Sequence, residues 1–135
     1  MIVIDASIAL SWCFEDEASE ETDAIAARII DAGAIVPGLF KLEMANILLQ
    51  AERRGRITPA QVAATIALLD ELAIPVDGET ADRAWRETLG LARAHALTSY
   101  DAAYLELALR RGAALATRDR KLAEAARALG VAVLP

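Results

Sequence analysis

Four acidic residues occupy positions where an α/β fold would bring them together: Asp5, Glu43, Asp101 and Asp119. Asp5 directly follows the apolar run at residues 1–4, and Asp119 comes two residues after the run at 113–117; the other two acids lie early in helix-like segments. Carboxylates at strand ends and at neighbouring helix starts point into one crevice of a parallel sheet. Clustered like charges are costly unless a cation lies among them, and hard oxygen ligands favour Mg²⁺ or Mn²⁺. The four acids therefore predict metal-assisted phosphodiester chemistry.

Each acid also has a plain structural explanation. Asp5 could cap the following helix, although Ser7 could do so equally well. Glu43 lies in a nearly all-apolar helix, where a carboxylate needs a partner, and either a metal ion or an arginine would supply one. Asp101 suits the positive end of a helix dipole, and Asp119 suits the N-cap of the last helix, a role that can coexist with metal binding. We interpret all four as candidate ligands.

Three uncharged polar residues accompany the acids. Ser7 and Thr117 each follow a strand close to one acid, where capping is the default role and support of a metal-bound water is the alternative. Asn46 lies one helical turn after Glu43 and shares its face. We expect Asn46 to hold Glu43 by a hydrogen bond or to orient a water molecule.

The elements that would position these residues alternate between strand and helix. Five short apolar runs predict buried parallel strands, at residues 2–4, 34–36, 74–76, 114–116 and 131–134. Six helical patterns are expected at residues 19–32, 38–54, 59–72, 80–95, 99–111 and 119–129. This alternation predicts an α/β fold, a parallel sheet with helices on both faces.

Composition limits the classes of protein that fit. The 135 residues suit one domain, residues 1–135. Cys13 is the only cysteine, which excludes an internal disulfide, favours a small buried thiol in a short helix and indicates a reducing, cytoplasmic location. No apolar stretch approaches the roughly 20 residues needed to span a bilayer. The net charge of −6 argues against broad electrostatic capture of nucleic acid, although a local basic rim remains compatible.

Two neighbouring helices are more apolar than one sheet face requires. The helix at 38–54 has almost no polar face, and the next carries Val62, Ile66 and Leu69 on one stripe. We infer a subunit interface, the alternative being a helix sandwiched between the sheet and its neighbour.

Four motifs together resemble those of the PIN-domain nucleases, and most closely the VapC-like toxins of bacterial toxin–antitoxin pairs. The motifs are Ile2-Val-Ile-Asp5-Ala-Ser7, Leu42-Glu43-Met-Ala-Asn46, Thr98-Ser-Tyr-Asp101-Ala-Ala-Tyr104 and Ala116-Thr-Arg-Asp119. Each motif is weak alone, but their order and spacing are specific and cover essentially the whole chain. The resemblance implies a three-layer PIN-like fold, with a five-stranded parallel sheet flanked by helices, and a homodimer.

The same resemblance implies an activity. The expected protein is a Mg²⁺- or Mn²⁺-dependent endoribonuclease that hydrolyses RNA phosphodiester bonds, with a cognate antitoxin protein whose tail blocks the cleft. Carried over by position, the core metal ligands are Asp5 and Asp101, and the acidic site is completed by Glu43 and Asp119. The supporting polar residues are Ser7, Asn46 and Thr117. Arg118 and Lys121 flank the last acid, where they could hold RNA phosphates or simply form an exposed helix start.

Two other classes of function fit parts of the pattern. In a phosphoryl-transfer fold, Asp5 would be the covalent phosphoacceptor. Receiver domains usually carry an extra acidic pair near the first strand and a late lysine, and haloacid-type phosphatases need a second Asp where this chain has Ser7. In a non-catalytic interaction module, the apolar helix would be the functional surface and the acids would only be caps.

Overall fold

A single parallel sheet organises the protein, whose computed structural model describes residues 1–135. Its strands are β1 (Ile2–Ile4), β2 (Ala34–Ile35), β3 (Ala114–Ala116) and β4 (Val133–Leu134), in the spatial order β2-β1-β3-β4. Ile2 lies opposite both Ala34 and Ala114, and all pairings are parallel. Every residue of β1 is buried, as expected of a central parallel strand. Asp5, the next residue, therefore lies at the middle of the sheet's carboxyl edge.

The strand predicted at residues 74–76 contributes only one isolated bridge. Val76 pairs with Val36 in parallel orientation at the β2 side of the sheet. The N–H of Val36 donates to the Pro75 carbonyl at 3.1 Å, and the N–H of Asp77 donates to the Val36 carbonyl at 2.8 Å. Pro75 has no N–H with which to extend this ladder. The prediction of a parallel α/β sheet is confirmed, but the strand count of five was wrong, since the sheet has four.

Eight α-helices surround the sheet. They are α1 (Ala6–Cys13), α2 (Glu20–Ala32), α3 (Phe40–Arg53), α4 (Pro59–Glu71), α5 (Thr80–Arg83), α6 (Leu89–His95), α7 (Ser99–Arg111) and α8 (Arg120–Ala128). A 3₁₀ turn follows α1 at Glu15–Glu17, and a π-helical stretch, Ala84–Thr88, joins α5 to α6. The predicted helix at 80–95 is thus one helical region with a π-helical centre. None of the helices is both long and apolar enough to cross a lipid bilayer.

Local capping sets the helix boundaries that matter for the site. Thr98 caps α7 by accepting a hydrogen bond from the Asp101 N–H at 3.1 Å, which places that acid in the first turn. The same helix ends at Gly112, whose φ of 60° is in the left-handed region that glycine adopts without a steric penalty. The predicted bounds of this helix were therefore correct.

The pair α3 and α4 leaves an apolar face without a partner. α3 buries Phe40, Met44 and Leu48, but Leu42 on its outer side is 77% exposed. No residue of α4 is fully buried, and the two helices line an apolar cavity of about 220 Å³. Packing of α3 between the sheet and its neighbour helix therefore explains the apolar residues on its buried side and does not explain the exposed Leu42.

Candidate active site

The carboxyl edge between β1 and β3 is the point where the sheet changes its winding direction. From β1 the chain proceeds to β2 on one side, and β3 and β4 lie on the other. Loops that leave such a point diverge and open a crevice, where α/β folds bind ligands. Asp5 follows β1 and Thr117 follows β3, and the N–H of Asp5 donates to the Ala116 carbonyl at 3.1 Å. The two loop starts therefore lie side by side.

Asp5 is held at this edge by two hydroxyl groups. The Ser7 hydroxyl donates to Oδ1 at 2.5 Å, and the Thr117 hydroxyl donates to Oδ2. The N–H of Ile8 also donates to Oδ1, at 3.2 Å, so Asp5 is the N-cap of α1. Asp5 is only 6% exposed. The capping role is therefore real, and its two hydroxyl partners orient the carboxylate; its role as a metal ligand stays a prediction.

The same hydroxyl groups hold the loop after β3. The N–H of Arg118 donates to Ser7 Oγ at 2.9 Å, and the N–H of Asp119 donates to Thr117 Oγ1 at 3.0 Å. Asp119 in turn caps α8, since its Oδ1 accepts from the Leu122 N–H at 2.8 Å. The loops after β1 and β3 therefore form one hydrogen-bonded unit that positions two of the acids.

Glu43 lies in the first turn of α3 and is half-buried. Its Oε1 accepts a hydrogen bond from the hydroxyl of Tyr104. Sequence reasoning missed this tyrosine, although it stands three residues after Asp101 and that spacing places both on one helix face. Asn46, the expected partner of Glu43, is exposed and makes no side-chain hydrogen bond.

The four acids form a cluster in which neighbouring negative charges raise the pKa of three members, Asp5, Glu43 and Asp101. Burial is the largest cause raising the pKa of Asp5, and the charge of Asp101 raises it further. Burial likewise raises the pKa of Glu43, with added contributions from both of those charges. The pKa of Asp101 is raised by burial and then by the charge of Asp119. None of the four forms a salt bridge, so the negative charge is not compensated by any side chain.

The chemistry of the donor set fits a hydrated divalent ion. All four side chains offer carboxylate oxygens, the ligands that Mg²⁺ and Mn²⁺ prefer. No three Asp, Glu, His or Cys side chains are close enough together to form a complete ligand set for one ion. Because Mg²⁺ usually keeps several waters and binds only one or two carboxylates directly, a complete protein ligand set is not required.

The two basic residues beside Asp119 have different surroundings. The guanidinium of Arg118 donates to the Glu17 carbonyl at 2.7 Å, which ties the loop after β3 to the 3₁₀ turn. Lys121 is exposed and forms no salt bridge, so its ammonium group is free to meet an anion. A substrate-binding role for either stays a prediction.

Comparison with known proteins identifies relatives over nearly the whole chain. Residues 2–128 match the PIN domain family. The chain is 30% identical over 123 residues to Ribonuclease VapC3 of Pyrobaculum aerophilum, covering 91% of this chain and 92% of that protein. The crystal structure of PAE2754 from Pyrobaculum aerophilum has a TM-score of 0.70 at 22% identity, covering 98% of this chain and 87% of the other. The crystal structure of FitAcB from Neisseria gonorrhoeae has a TM-score of 0.68 at 18% identity, covering 100% and 97%. These two structural likenesses show a shared fold.

Proposed function

The chain belongs to the PIN domain family, and from this membership we propose that it is a Mg²⁺- or Mn²⁺-dependent endoribonuclease that hydrolyses RNA phosphodiester bonds. The observation that carries the proposal is Asp5, which is buried at the carboxyl edge of the sheet and held there by the Ser7 and Thr117 hydroxyl groups, with the charge of Asp101 near enough to raise its pKa. The nearly full-length match to a protein named Ribonuclease VapC3 supports RNA as the substrate class. On the same basis we propose that the protein is the toxin of a toxin–antitoxin pair, with an antitoxin protein as its partner.

The chain's residues divide the work of the proposed reaction. A bound Mg²⁺ or Mn²⁺ supplies charge neutralisation at the phosphate and acidifies the attacking water. Asp5 and Asp101 would hold the ion, with Asp5 pre-oriented by its two hydroxyl partners. Because the two hydroxyl groups already orient the Asp5 carboxylate, this side chain needs little rearrangement when substrate binds. Lys121, two residues after Asp119, is exposed and forms no salt bridge, and it binds an RNA phosphate in this proposal.

Glu43 is the acid best suited to accept the proton of the attacking water. Its Oε1 accepts from Tyr104, which leaves Oε2 without a protein partner. Burial raises the pKa of Glu43, and a higher pKa makes a carboxylate a stronger base near neutral pH. Oδ1 of Asp119 caps α8, and its other oxygen would help to hold the hydrated ion.

The rival functions are less well supported. A haloacid-type phosphoacceptor site needs a second Asp where this chain has Ser7, whose hydroxyl instead donates to Asp5. A purely structural module would retain one buried carboxylate, Asp5, and two half-buried ones, Glu43 and Asp101, without a basic partner, at a cost in stability and without benefit.

A metal titration tests the proposed function. Mg²⁺ should raise the Tm of the purified protein, because an ion that binds only the folded state stabilises it by about 2.7 kcal/mol at 100 times its Kd. Cleavage of single-stranded RNA should stop in EDTA and return with added Mg²⁺ or Mn²⁺. A sodium salt at equal ionic strength is the control. Cleavage that persists unchanged in EDTA would contradict the proposal.

We also propose that the apolar face of α3 and α4 is a homodimer interface. Sedimentation should then give twice the chain mass of 14.4 kDa. Leu42→Glu should shift the protein to monomers, because the interface would bury an unpaired charge. Ile30→Glu on α2 is the matched control, since Ile30 is 84% exposed and lies on another surface. A monomeric wild-type protein at all concentrations would exclude this interface.

A further inference from the structure

One buried hydroxyl group joins two of the helices that carry the acids. Tyr104 is 1% exposed and lies in the middle of α7, yet its hydroxyl donates to Glu43 of α3, 61 residues away in the chain. This is the only side-chain hydrogen bond between α3 and α7. A buried tyrosine hydroxyl needs a partner, and a carboxylate is a strong acceptor.

Of the two hydrogen-bonded residues, Tyr104 has the smaller conformational freedom. Tyr104 is packed in the core, and its ring has only two rotatable bonds. Glu43 is half-buried, has three rotatable bonds, and is repelled by the charges of Asp5 and Asp101. Without the tyrosine hydroxyl, repulsion would favour turning the carboxylate towards solvent. The rigid partner therefore determines where the flexible one points.

We propose that Tyr104 is a positioning residue, whose hydroxyl holds Glu43 beside Asp101 so that both carboxylates serve the same divalent ion. This inference rests on the proposed function. Tyr104 and Asp101 lie three residues apart on one face of α7, so the hydroxyl and the second carboxylate are carried by the same rigid element. One oxygen of Glu43 is held by the tyrosine, and the other would meet a water molecule of the hydrated ion, so that Glu43 would support ion binding and accept the proton of that water.

The chain offers a matched pair of substitutions. It contains two tyrosines, both in α7, and Tyr100 is 65% exposed and makes no side-chain hydrogen bond. In Tyr104→Phe, the Mg²⁺ concentration for half-maximal thermal stabilisation should rise about 10-fold or more, as for other residues that support metal ligands. The kcat for RNA cleavage should fall with KM unchanged. Tyr100→Phe should leave the Mg²⁺ midpoint at the wild-type value.

A merely structural role predicts a different result. Tyr104→Phe would then lower the Tm equally with and without Mg²⁺, and an unchanged Mg²⁺ midpoint would overturn the inference. In a Glu43→Gln background, adding Tyr104→Phe should cause no further shift of the midpoint, and an additive shift would also overturn it. Should Tyr104→Phe fail to fold, Glu43→Asp withdraws the carboxylate from the hydroxyl and should raise the midpoint similarly; an unchanged midpoint would again count against the inference.

The outcomes distinguish a failure of the positioning role from a failure of the proposed function. If the wild-type protein gains stability from Mg²⁺ and cleaves RNA while Tyr104→Phe behaves like Tyr100→Phe, only the positioning role is wrong. If the wild-type protein shows neither effect, the proposed function and the positioning role fail together.

Discussion

Replacing Asp101 by asparagine is expected to lower RNA cleavage about 10³-fold while making the metal-free protein more stable at pH 7. The variant loses a proposed ligand, and a loss of about 4 kcal/mol of transition-state stabilisation corresponds to that factor. Asparagine has the same shape but no charge. It therefore removes a half-buried carboxylate whose ionised form is disfavoured by burial and by the charge of Asp119. Opposite changes in activity and stability are the mark of a functional charge cluster.

The pH dependence of this effect has a definite sign. The pKa of Asp101 in the folded protein is raised above its unfolded value of about 3.9. Its stabilising contribution is therefore fully present below that unfolded value and is lost as the pH rises through the folded pKa. In denaturant unfolding with EDTA, the free energy of unfolding of the variant should increase relative to that of the wild type as the pH rises from about 4 towards neutrality.

The matched control for that experiment is Asp23→Asn. Asp23 also lies in the first turn of a long helix, α2, but is exposed and outside the cluster. Its replacement should leave cleavage unchanged and should not raise stability, because only a favourable dipole interaction is removed. If Asp101→Asn cleaves RNA at the wild-type rate, or is less stable than the wild type at pH 7 without metal, its assignment to the cluster is wrong.

Replacing Arg110 by methionine is expected to destabilise the protein by about 3 kcal/mol. The guanidinium donates to Asp77 at 2.7 Å, to Glu106 at 2.7 Å and to Glu79 at 3.1 Å. The side chains of Asp77 and Glu106 are only 4% and 6% exposed. Removing the shared cation leaves two buried carboxylates without compensation, and breaking a buried pair typically costs about 3–5 kcal/mol. We take the lower end because Glu79 is exposed to solvent.

At acidic pH the free energies of unfolding of the wild type and of Arg110→Met should become more similar. The Arg110 hydrogen bond is the main cause lowering the pKa of Asp77. A depressed folded pKa contributes stability above the unfolded pKa, about 3.9, and this contribution is lost as the pH falls through the folded value. Urea unfolding of both proteins at neutral pH and below pH 4 measures the difference in their free energies of unfolding at each pH.

Arg83→Met provides the control for the buried cation. Arg83 pairs with Glu79 and Glu87 on the surface, where such ion pairs contribute about 0.2–1 kcal/mol. If Arg110→Met lowers the free energy of unfolding no more than Arg83→Met does, the hydrogen bonds from Arg110 of α7 to Asp77 and Glu79 contribute little to stability. The position of α7 matters because this helix carries Asp101 and Tyr104.

The family resemblance inferred from four short motifs is confirmed by the match over residues 2–128 and by the shared fold. The charges of Asp5 and Asp101 raise the pKa of Glu43, but no three of the predicted acids lie close enough together to form a ligand set, so their metal-binding role stays a prediction. The contact between Glu43 and Tyr104 was not predicted, and Asn46 was expected in its place. A substrate-binding role for Arg118 stays a prediction, and the contact of its guanidinium with the Glu17 carbonyl was not foreseen.

By itself, the sequence determined the bounds of α7, the parallel α/β class and the identity of the acids, because capping, hydrophobic periodicity and residue type act over a few neighbouring residues. Only the tertiary structure decided that residues 74–76 form one bridge, that Tyr104 holds Glu43 and that Arg118 contacts a carbonyl 101 residues away. Such contacts depend on how distant segments pack and on which rotamer each long side chain adopts. Neither property is encoded in local spacing.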